Sequence, residues 1–402
     1  MINKNKSKAQ LKIDAIYEVL ISLPQTNHTG IFGGELGMAL FLIYYAKLRD
    51  NNDALTRAFQ VIGRIGQTIN LLENKSPILS AGITGFGWLV SHIEKHRLYQ
   101  TGSVKLLNNI DKIVIEQAFD LLDKGDYDYL HGALGVGNYL LNRNRTRKNI
   151  ESLKVFVAKL KSLAIIEGEY VKWNDFDLEQ KKTKEGEYNW GLSHGAPSIL
   201  MFLVNCYEAN IEPLTIMPLI KGTVNFMLTI RQDPFLVGSC FPYKTTDNVS
   251  RPEKSRLGWC YGDLGAIYVL SRANQIIKLT EVDAYISEVS EFEASRKDLM
   301  ENEIADAGFC HGASGVAHLF NKLYKLTKNE NYEASAKYWY DVTLKMDIYH
   351  DGLAGYKSYR SVPKPALIND PSLIEGVTGV GLSLISYVTD MKYKWDEIFL
   401  VR

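Results

Sequence analysis

The sequence is poor in cysteine and carries no excess charge of either sign. Its 402 residues include four cysteines, and 46 lysines and arginines are balanced by 46 aspartates and glutamates. Four widely spaced cysteines do not make a disulfide framework, and they fit a reduced, cytosolic protein. A nucleic-acid-binding protein normally carries a basic excess, so the balanced charge argues against that class.

Long apolar runs are also missing. The longest wholly apolar run, from Met38 to Ala46, is far shorter than the ~20 residues that a membrane-spanning helix needs. The N-terminal residues have the pattern of an amphipathic helix without an apolar signal-peptide core, so we expect neither a signal peptide nor a transmembrane segment. A composition of 46% hydrophobic and 23% charged residues is typical of a folded globular protein.

What the sequence does contain is an internal repeat. A small-residue signature, G-x-x-G in six copies and G-x-x-S in one, recurs at intervals of 48 to 67 residues. Each copy precedes an apolar stretch that predicts a helix, and amphipathic patterns between the copies, such as 111–122, predict a second helix in each repeat. The copies begin at Gly34, Gly82, Gly132, Gly195, Gly262, Gly312 and Gly376.

The repeat predicts one all-α domain over residues 1–402. Glycine lets the chain turn and lets the new helix start close to its neighbours, with its free N–H groups aimed at the space that the turns surround. An open α-solenoid would use glycines in a similar way, but the chemically interesting residues all lie at these turns, which favours a closed ring. Three longer gaps, 151–188, 232–257 and 346–371, predict loop insertions, the first with strand-like alternation.

Three potential metal ligands lie at the repeat turns. Cys260 occurs in W-C-Y-G, and Cys310 and His311 occur in C-H-G. Two thiolates and one imidazole, with a fourth position open, are the ligand set of a catalytic zinc. A buried cysteine is otherwise a small apolar residue, which is how we interpret Cys206 and Cys240.

Further polar residues directly precede repeat glycines. A lone histidine at such a turn is typical of a structural hydrogen-bonding group, whereas several that converge on one metal site indicate catalysis. Arg256, four residues before Cys260, and Asp128, three before His131, fit either the site or an ordinary loop interaction. The residues directly before a glycine are His131, His194, Tyr261 and Glu375.

Together these motifs resemble the lanthionine synthetase C-like family, the cyclases of lantibiotic biosynthesis, over essentially the whole chain. The resemblance implies an α/α toroid, with an inner and an outer ring of seven helices each and zinc at the centre of one face. Two features depart from the family pattern: Ser198 replaces the second glycine of the fourth turn, and His131 stands where bacterial cyclases are expected to have an acidic residue. The residues that the resemblance assigns to the site are the zinc ligands Cys260, Cys310 and His311 and the catalytic residues Asp128, His194, Arg256 and Tyr261.

The implied reaction adds a cysteine thiol to dehydroalanine or dehydrobutyrine and closes a (methyl)lanthionine thioether ring. Zinc turns the thiol into a thiolate, and its addition to the β-carbon creates an enolate, which needs a cation near its oxygen and an acid for its α-carbon. Arg256 suits the first role and His194 the second. Asp128 can orient or charge-balance His194 or help to remove the thiol proton, and Tyr261 can hold substrate or water.

The implied partner is a dehydrated precursor peptide, with a lantibiotic dehydratase beside the cyclase. The implied location is the cytoplasm, in a biosynthetic complex peripheral to the membrane. Three other interpretations stay open: a zinc-containing protein that binds glutathione or cysteine peptides without turnover, a zinc-dependent thiol prenyltransferase, and a carbohydrate-active toroid. The prenyltransferase would need a long apolar pocket and a basic diphosphate site, and the carbohydrate enzyme would need a pair of carboxylates; neither pattern stands out.

Overall fold

The structure, a computed structural model, is mostly helical and describes residues 2–71, 76–102, 104–143, 145–247 and 252–402. Within these ranges no helix is both long and apolar enough to cross a membrane. The α-helices are α1 (Ile2–Ser22), α2 (Glu35–Arg49), α3 (Asn52–Leu71), α4 (Ile83–Lys95), α5 (Val104–Asp123), α6 (Ala133–Asn142), α7 (Arg147–Leu163), α8 (Ala196–Glu208), α9 (Pro213–Thr229), α10 (Pro234–Val237), α11 (Asp263–Ile277), α12 (Thr280–Ser295), α13 (Ala313–Thr327), α14 (Glu330–Lys345) and α15 (Val377–Val388). A 3-10 helix follows at Trp395–Phe399.

Short strands form two-stranded antiparallel sheets, in which each odd-numbered strand pairs with the strand that follows it along the chain. They are β1 (Ile165–Glu167), β2 (Tyr170–Lys172), β3 (Asp175–Asp177), β4 (Lys182–Lys184), β5 (Glu187–Asn189), β6 (Lys244–Thr246), β7 (Ser358–Arg360) and β8 (Ala366–Ile368).

Each of the seven repeat glycines directly precedes a helix, as the sequence predicts. The helices that begin there are α2, α4, α6, α8, α11, α13 and α15. A second long helix precedes each of them, and α5 covers the amphipathic pattern at 111–122. The two-helix repeat is therefore confirmed.

The two sets of helices differ in burial. Among the helices that begin at a glycine, α8 is buried at every position from Ala196 to Cys206, and α15 from Val377 to Tyr387. A helix that is apolar and buried all round lies inside a core, whereas a helix with one buried stripe covers a core. The intervening helix α7 buries one face, made of Asn149, Ser152, Leu153, Phe156, Val157 and Leu160.

The chain divides into two compact units. Unit 1 comprises Met1–Lys75, Ser80–Leu89 and Lys297–Arg402, and unit 2 comprises Ser76–Leu79 and Val90–Arg296. In unit 1, α13 packs on α14, α2 on α3, and α1 on α15. In unit 2, α8 packs on α6, α9 and α11, while α9 packs on β2. That residues 1–402 form a single domain stays a prediction.

The three insertions contain regular elements as well as irregular loop. At 151–188, α7 is followed by β1 to β5, which agrees with the strand-like alternation of that segment. At 232–257, the described residues include α10 and β6, and residues 248–251 lie outside the described ranges. At 346–371, the prolines do not prevent the β7–β8 hairpin, because Pro363 and Pro365 lie in the connection between its strands, where no ladder N–H is needed.

Gly262→Ala should destabilise the protein. Gly262 has a φ of 148°, and a Cβ there would lie 2.3 Å from the backbone oxygen of Arg256. Strain of this kind costs about 1–3 kcal/mol before the clash is added. Urea unfolding followed by circular dichroism should show a lower midpoint for Gly262→Ala than for the wild type.

Gly63→Ala is the matched control for this substitution. Gly63 lies in α3, and a Cβ there would meet nothing within 4 Å. Alanine is a better helix former than glycine by about 1 kcal/mol, so this midpoint should rise or stay unchanged. A Gly262→Ala protein as stable as the wild type would contradict the strained-turn interpretation.

Candidate functional site

The turns before the repeat glycines share a hydrogen-bonded design. In five of these turns the residue six positions before the glycine accepts, through its carbonyl oxygen, from the N–H of the first helical residue, as in Asp126–Ala133 (3.3 Å) and Asp370–Val377 (2.9 Å). This bond satisfies one of the N–H groups that a helix start leaves unpaired. In four turns the same residue also forms an Asx turn, in which its side-chain oxygen accepts from the N–H two residues later. These residues are Asp126, Asn189, Asp306 and Asp370.

In unit 2, the third and fourth turns bring Asp128 and His194 into direct contact. His194 Nδ1 lies 2.5 Å from Asp128 Oδ2, and its N–H donates to the carboxylate. Asp128 Oδ1 accepts the backbone N–H groups of Leu130 (2.8 Å) and His131 (2.7 Å). Asp128 is only 2% exposed, so a buried carboxylate with both oxygens occupied fixes the His194 ring and leaves its Nε2 for other partners.

Two histidines of this site have pKa values shifted in opposite directions. Burial alone would lower the pKa of His194, but the hydrogen bond and the charge of Asp128 outweigh it, and the pKa is raised. For His131, burial lowers the pKa, Asp128 raises it and His194 lowers it, and the net pKa is lowered. The two rings lie nearly parallel, with centroids 5.9 Å apart and an interplanar angle of 16°.

The ring of Tyr261 also stacks with the ring of His194, with centroids 5.9 Å apart and an interplanar angle of 29°. Its hydroxyl accepts a hydrogen bond from Asn189 Nδ2 at 3.1 Å, and burial raises the pKa of Tyr261 to about 12. Gly191 is required by this approach, because a Cβ there would lie 2.6 Å from the Tyr261 ring and 2.7 Å from the backbone oxygen of Cys260. The W-C-Y-G turn therefore packs directly against the segment that leads to His194.

Arg256 is held by a tyrosine that the sequence did not single out. Its backbone N–H and its Nε both donate to the hydroxyl of Tyr243, at 2.9 and 3.3 Å. The Tyr243 ring contacts the Tyr261 ring edge to face, with centroids 5.8 Å apart and an interplanar angle of 85°. Tyr243 thus connects two of the predicted site residues.

Asp263, the first residue of α11, anchors the loop that carries Tyr243. Its buried carboxylate accepts the backbone N–H groups of Cys240 (2.7 Å) and Phe241 (2.8 Å) and the guanidinium of Arg296 (2.5 Å). Arg296 also donates to the backbone oxygen of Ser255 at 2.7 Å. Cys240 is buried, as expected, but it packs in this polar cluster and not in a purely apolar core.

The insertions supply further residues that sequence reasoning missed. Asn189, at the end of β5, donates to Asp175 Oδ1 (3.2 Å) as well as to Tyr261, and Lys244 on β6 lies 2.6 Å from Asp175 Oδ2. Asp175 is 3% exposed, and its charge helps to raise the pKa of His194. The Asn six residues before Gly195 could have been found from the repeat, whereas Asp175 and Lys244 carry no such local pattern.

In unit 1, the turn that carries Cys310 and His311 is lined by carboxylates. Cys310 is 7% exposed. His311 is close enough to Asp306 and Glu375 for its charge to lower the pKa of each, although burial, the larger effect, leaves both raised. Glu375 also pairs with Arg360, with its Oε2 3.1 Å from Nη2.

The predicted residues therefore fall into two groups. Unit 2 contains one connected group, in which Asp128 contacts His194, the ring of His194 stacks with that of Tyr261, and Tyr243 links Tyr261 to Arg256. Cys260 belongs to the same group, because its backbone oxygen accepts from Ser193 and its charge raises the pKa of His194. Cys310 and His311 lie in unit 1. The catalytic and metal-binding roles of these residues stay predictions.

Comparisons with known proteins agree with this architecture. The sequence model of the lanthionine synthetase C-like protein family matches residues 26–400, so the chain belongs to that family. Nisin cyclase is similar in structure, with a TM-score of 0.75 and 14% identity over 98% of this chain and 97% of that one. This likeness confirms the predicted all-α fold of the α/α-toroid type. An alpha-1,6-mannanase from Salegentibacter sp. HEL1_6 matches less well, with a TM-score of 0.48 and 10% identity over 96% of this chain and all of that one.

Asp128→Asn should lower the pKa of His194. The substitution removes both the negative charge and the charge-assisted hydrogen bond that raise this pKa. An NMR titration of the imidazole signal, assigned by its loss in His194→Gln, measures the change. Asp126→Asn is the control, because Asp126 accepts from the backbone N–H of Asp128 and the amide oxygen of the variant can still do so. An unchanged His194 pKa in Asp128→Asn would mean that the contact has little electrostatic effect.

Proposed function

We propose that this protein is a zinc-dependent peptide cyclase, which adds cysteine thiols to dehydroalanine or dehydrobutyrine and forms (methyl)lanthionine rings. The observation that carries the proposal is the buried Asp128–His194 pair beside the Cys260–Tyr261 turn. Membership of the lanthionine synthetase C-like family supports it, and the similar fold of nisin cyclase agrees with it.

We propose Cys260, Cys310 and His311 as the zinc ligands. The donor set fits zinc, since two nearly buried thiols and one imidazole are soft ligands and leave a fourth position for substrate. The carboxylates of Asp306 and Glu375 near His311 suit the outer partners that orient a metal-bound histidine. When bound, zinc would supply the positive charge that keeps a substrate thiol deprotonated.

His194 is the proposed acid of the addition. Asp128 holds the ring through Nδ1 and raises its pKa, so the protonated form persists nearer to neutral pH. The ring can then deliver the Nε2 proton to the α-carbon after the sulfur has bonded to the β-carbon. Asp128 acts by orienting and charging the imidazole.

Arg256 and Tyr261 are proposed to bind the peptide at the reacting carbonyl. The contacts of Tyr243 fix the backbone and the Nε of Arg256, so its terminal amino groups are the ones that can reach a developing enolate oxygen. The Tyr261 hydroxyl is neutral and accepts from Asn189, which leaves its own proton for a substrate oxygen or a water.

The proposed partner is a dehydrated precursor peptide. An enzyme with this reaction receives its substrate from a dehydrating activity, so we propose a lantibiotic dehydratase as the companion enzyme. The four free cysteines and the thiol of the substrate require a reducing compartment, which makes the cytoplasm the proposed location, with a peripheral association with the membrane as part of such a complex.

Metal analysis tests the zinc proposal. The purified wild type should contain about one zinc per chain, and Cys310→Ala should lose most of it, because two remaining protein ligands hold zinc weakly. Cys206→Ala is the matched control: Cys206 is a free, fully buried cysteine of α8 and should be dispensable for metal. Full zinc content in Cys310→Ala would remove that residue from the site.

The cyclisation rate of His194→Asn, compared with that of the wild type, distinguishes the cyclase interpretation from the peptide-binding one. The variant should keep zinc and peptide binding but close rings about 10²–10⁴-fold more slowly, the usual contribution of a positioned acid. The substrate is a dehydrated peptide with one cysteine, and alkylation of the remaining thiols reports ring closure, since the addition itself changes no mass. His350→Asn, at a 98% exposed side chain, should match the wild type.

Two outcomes would oppose the proposal. A His194→Asn rate equal to that of the wild type would contradict the acid role. A wild type that binds the thiol peptide yet closes no ring would favour the glutathione- or peptide-binding interpretation.

A further inference from the structure

We propose that His131 is the base that accepts the proton of the substrate thiol, so that two neighbouring imidazoles divide the acid and base roles. This inference rests on the proposed cyclase function. It assigns a role to the residue by which this chain departs from the expected acidic side chain at the third turn.

The first step of the argument is that Asp128 is not available as a base. Its Oδ1 accepts two backbone N–H groups and its Oδ2 accepts from His194, and the residue is 2% exposed. The two oxygens of this carboxylate already take part in three hydrogen bonds, and its burial leaves almost no surface that a substrate could reach. Asp128 can therefore position His194 but cannot take the thiol proton.

The second step is the position of His131. It directly precedes Gly132, as His194 directly precedes Gly195, so the two residues occupy equivalent places in neighbouring repeats. Their rings lie nearly parallel with centroids 5.9 Å apart, and the His131 side chain is exposed where that of His194 is mostly covered. An incoming peptide can therefore meet the His131 ring beside the ring of the proposed acid.

The third step is electrostatic. Asp128, from its own turn, raises the pKa of His131, whereas His194, from the next turn, lowers it. A proton on His194 disfavours a second proton on His131, and the two pKa values are shifted in opposite directions, so between those two values the pair holds one imidazolium and one neutral imidazole. Neighbouring groups whose pKa values are pushed apart are suited to be one acid and one base.

The resulting sequence of steps balances. The S–H bond breaks and its proton passes to the neutral ring of His131, while the S–Cβ bond forms and the Cα=Cβ π electrons move into the enolate. The His194 imidazolium then gives its proton to Cα. Finally the proton on His131 returns to His194 through solvent, and no proton is gained or lost overall.

The test compares a thiol with a selenol. Two synthetic peptides carry one dehydroalanine and either cysteine or selenocysteine at the same position. A thiol is mostly protonated at pH 7 and needs a base, whereas a selenol is already ionised and needs none. His131→Asn and His194→Asn are assayed on both peptides, with the rate without enzyme subtracted and with zinc content and circular dichroism as checks on folding.

The proposal predicts a split between the two variants. On the cysteine peptide at pH 7, His131→Asn should be slower than the wild type by 10²-fold or more, and its rate should climb towards pH 8.5 as the thiolate forms by itself. On the selenocysteine peptide it should come within about twofold of the wild type. His194→Asn should stay slow on both peptides, because the α-carbon needs its proton in either case.

Each other outcome counts against the proposal. A His131→Asn protein that is fast on the cysteine peptide shows that another group accepts the proton. One that is equally slow on both peptides shows that His131 only positions His194 or the substrate. If the wild type closes neither peptide while retaining zinc, the proposed cyclase function fails, and the base role falls with it.

Discussion

The six-residue turn before each repeat glycine is the constraint on which the site depends. In five turns a carbonyl oxygen at the start of the turn accepts from the first helical N–H, and in four turns the side chain of an Asp or Asn at that position accepts from a backbone N–H within the turn. At the fifth repeat glycine the initial residue is Arg256, whose carbonyl oxygen still accepts from the N–H of Asp263, while its side chain donates to Tyr243 and does not close the turn. The loop then needs another anchor, and the buried Asp263–Arg296 pair provides it, together with a glycine that accepts a φ of 148°. In this turn the anchoring carboxylate therefore lies seven residues after the start of the turn, at Asp263.

The helices and the turn residues could be predicted from sequence because their signals are local. The repeat glycines each start a helix, and Asp128 contacts His194 as the family resemblance implies. The spacing from Asp128 to His131 is short, so one turn carries both residues and its geometry follows from its length. In four turns the side chain that starts the turn is an equally local signal, an Asp or Asn six residues before the glycine.

The remaining site residues could not be predicted, because they meet through non-local pairing of two insertions. β5 and β6 are joined by backbone hydrogen bonds between segments 55 or more residues apart, and next to this pairing Asn189 contacts Tyr261 and Tyr243 contacts Arg256. Short strands with mixed polar residues specify their partners weakly, so nothing in either insertion indicates the other. The pre-glycine positions indicated where the site lies, but not that paired insertions hold its arginine and tyrosine in place.

The chemistry open to this site is limited by the demands of burial. A buried carboxylate must have its oxygens paired, and Asp128 meets that demand with two backbone N–H groups and one imidazole. The same pairing removes it from direct chemistry, which argues against a carbohydrate-active toroid, since glycoside hydrolysis uses two carboxyl groups that face the substrate. The carboxylate instead raises the pKa of His194, to which it is hydrogen-bonded, while the pKa of the neighbouring His131 remains lowered. Imidazoles exchange protons near neutral pH, as the proposed thiol addition requires, so the same pairing that stabilises the turn also fixes the ring of the proposed acid.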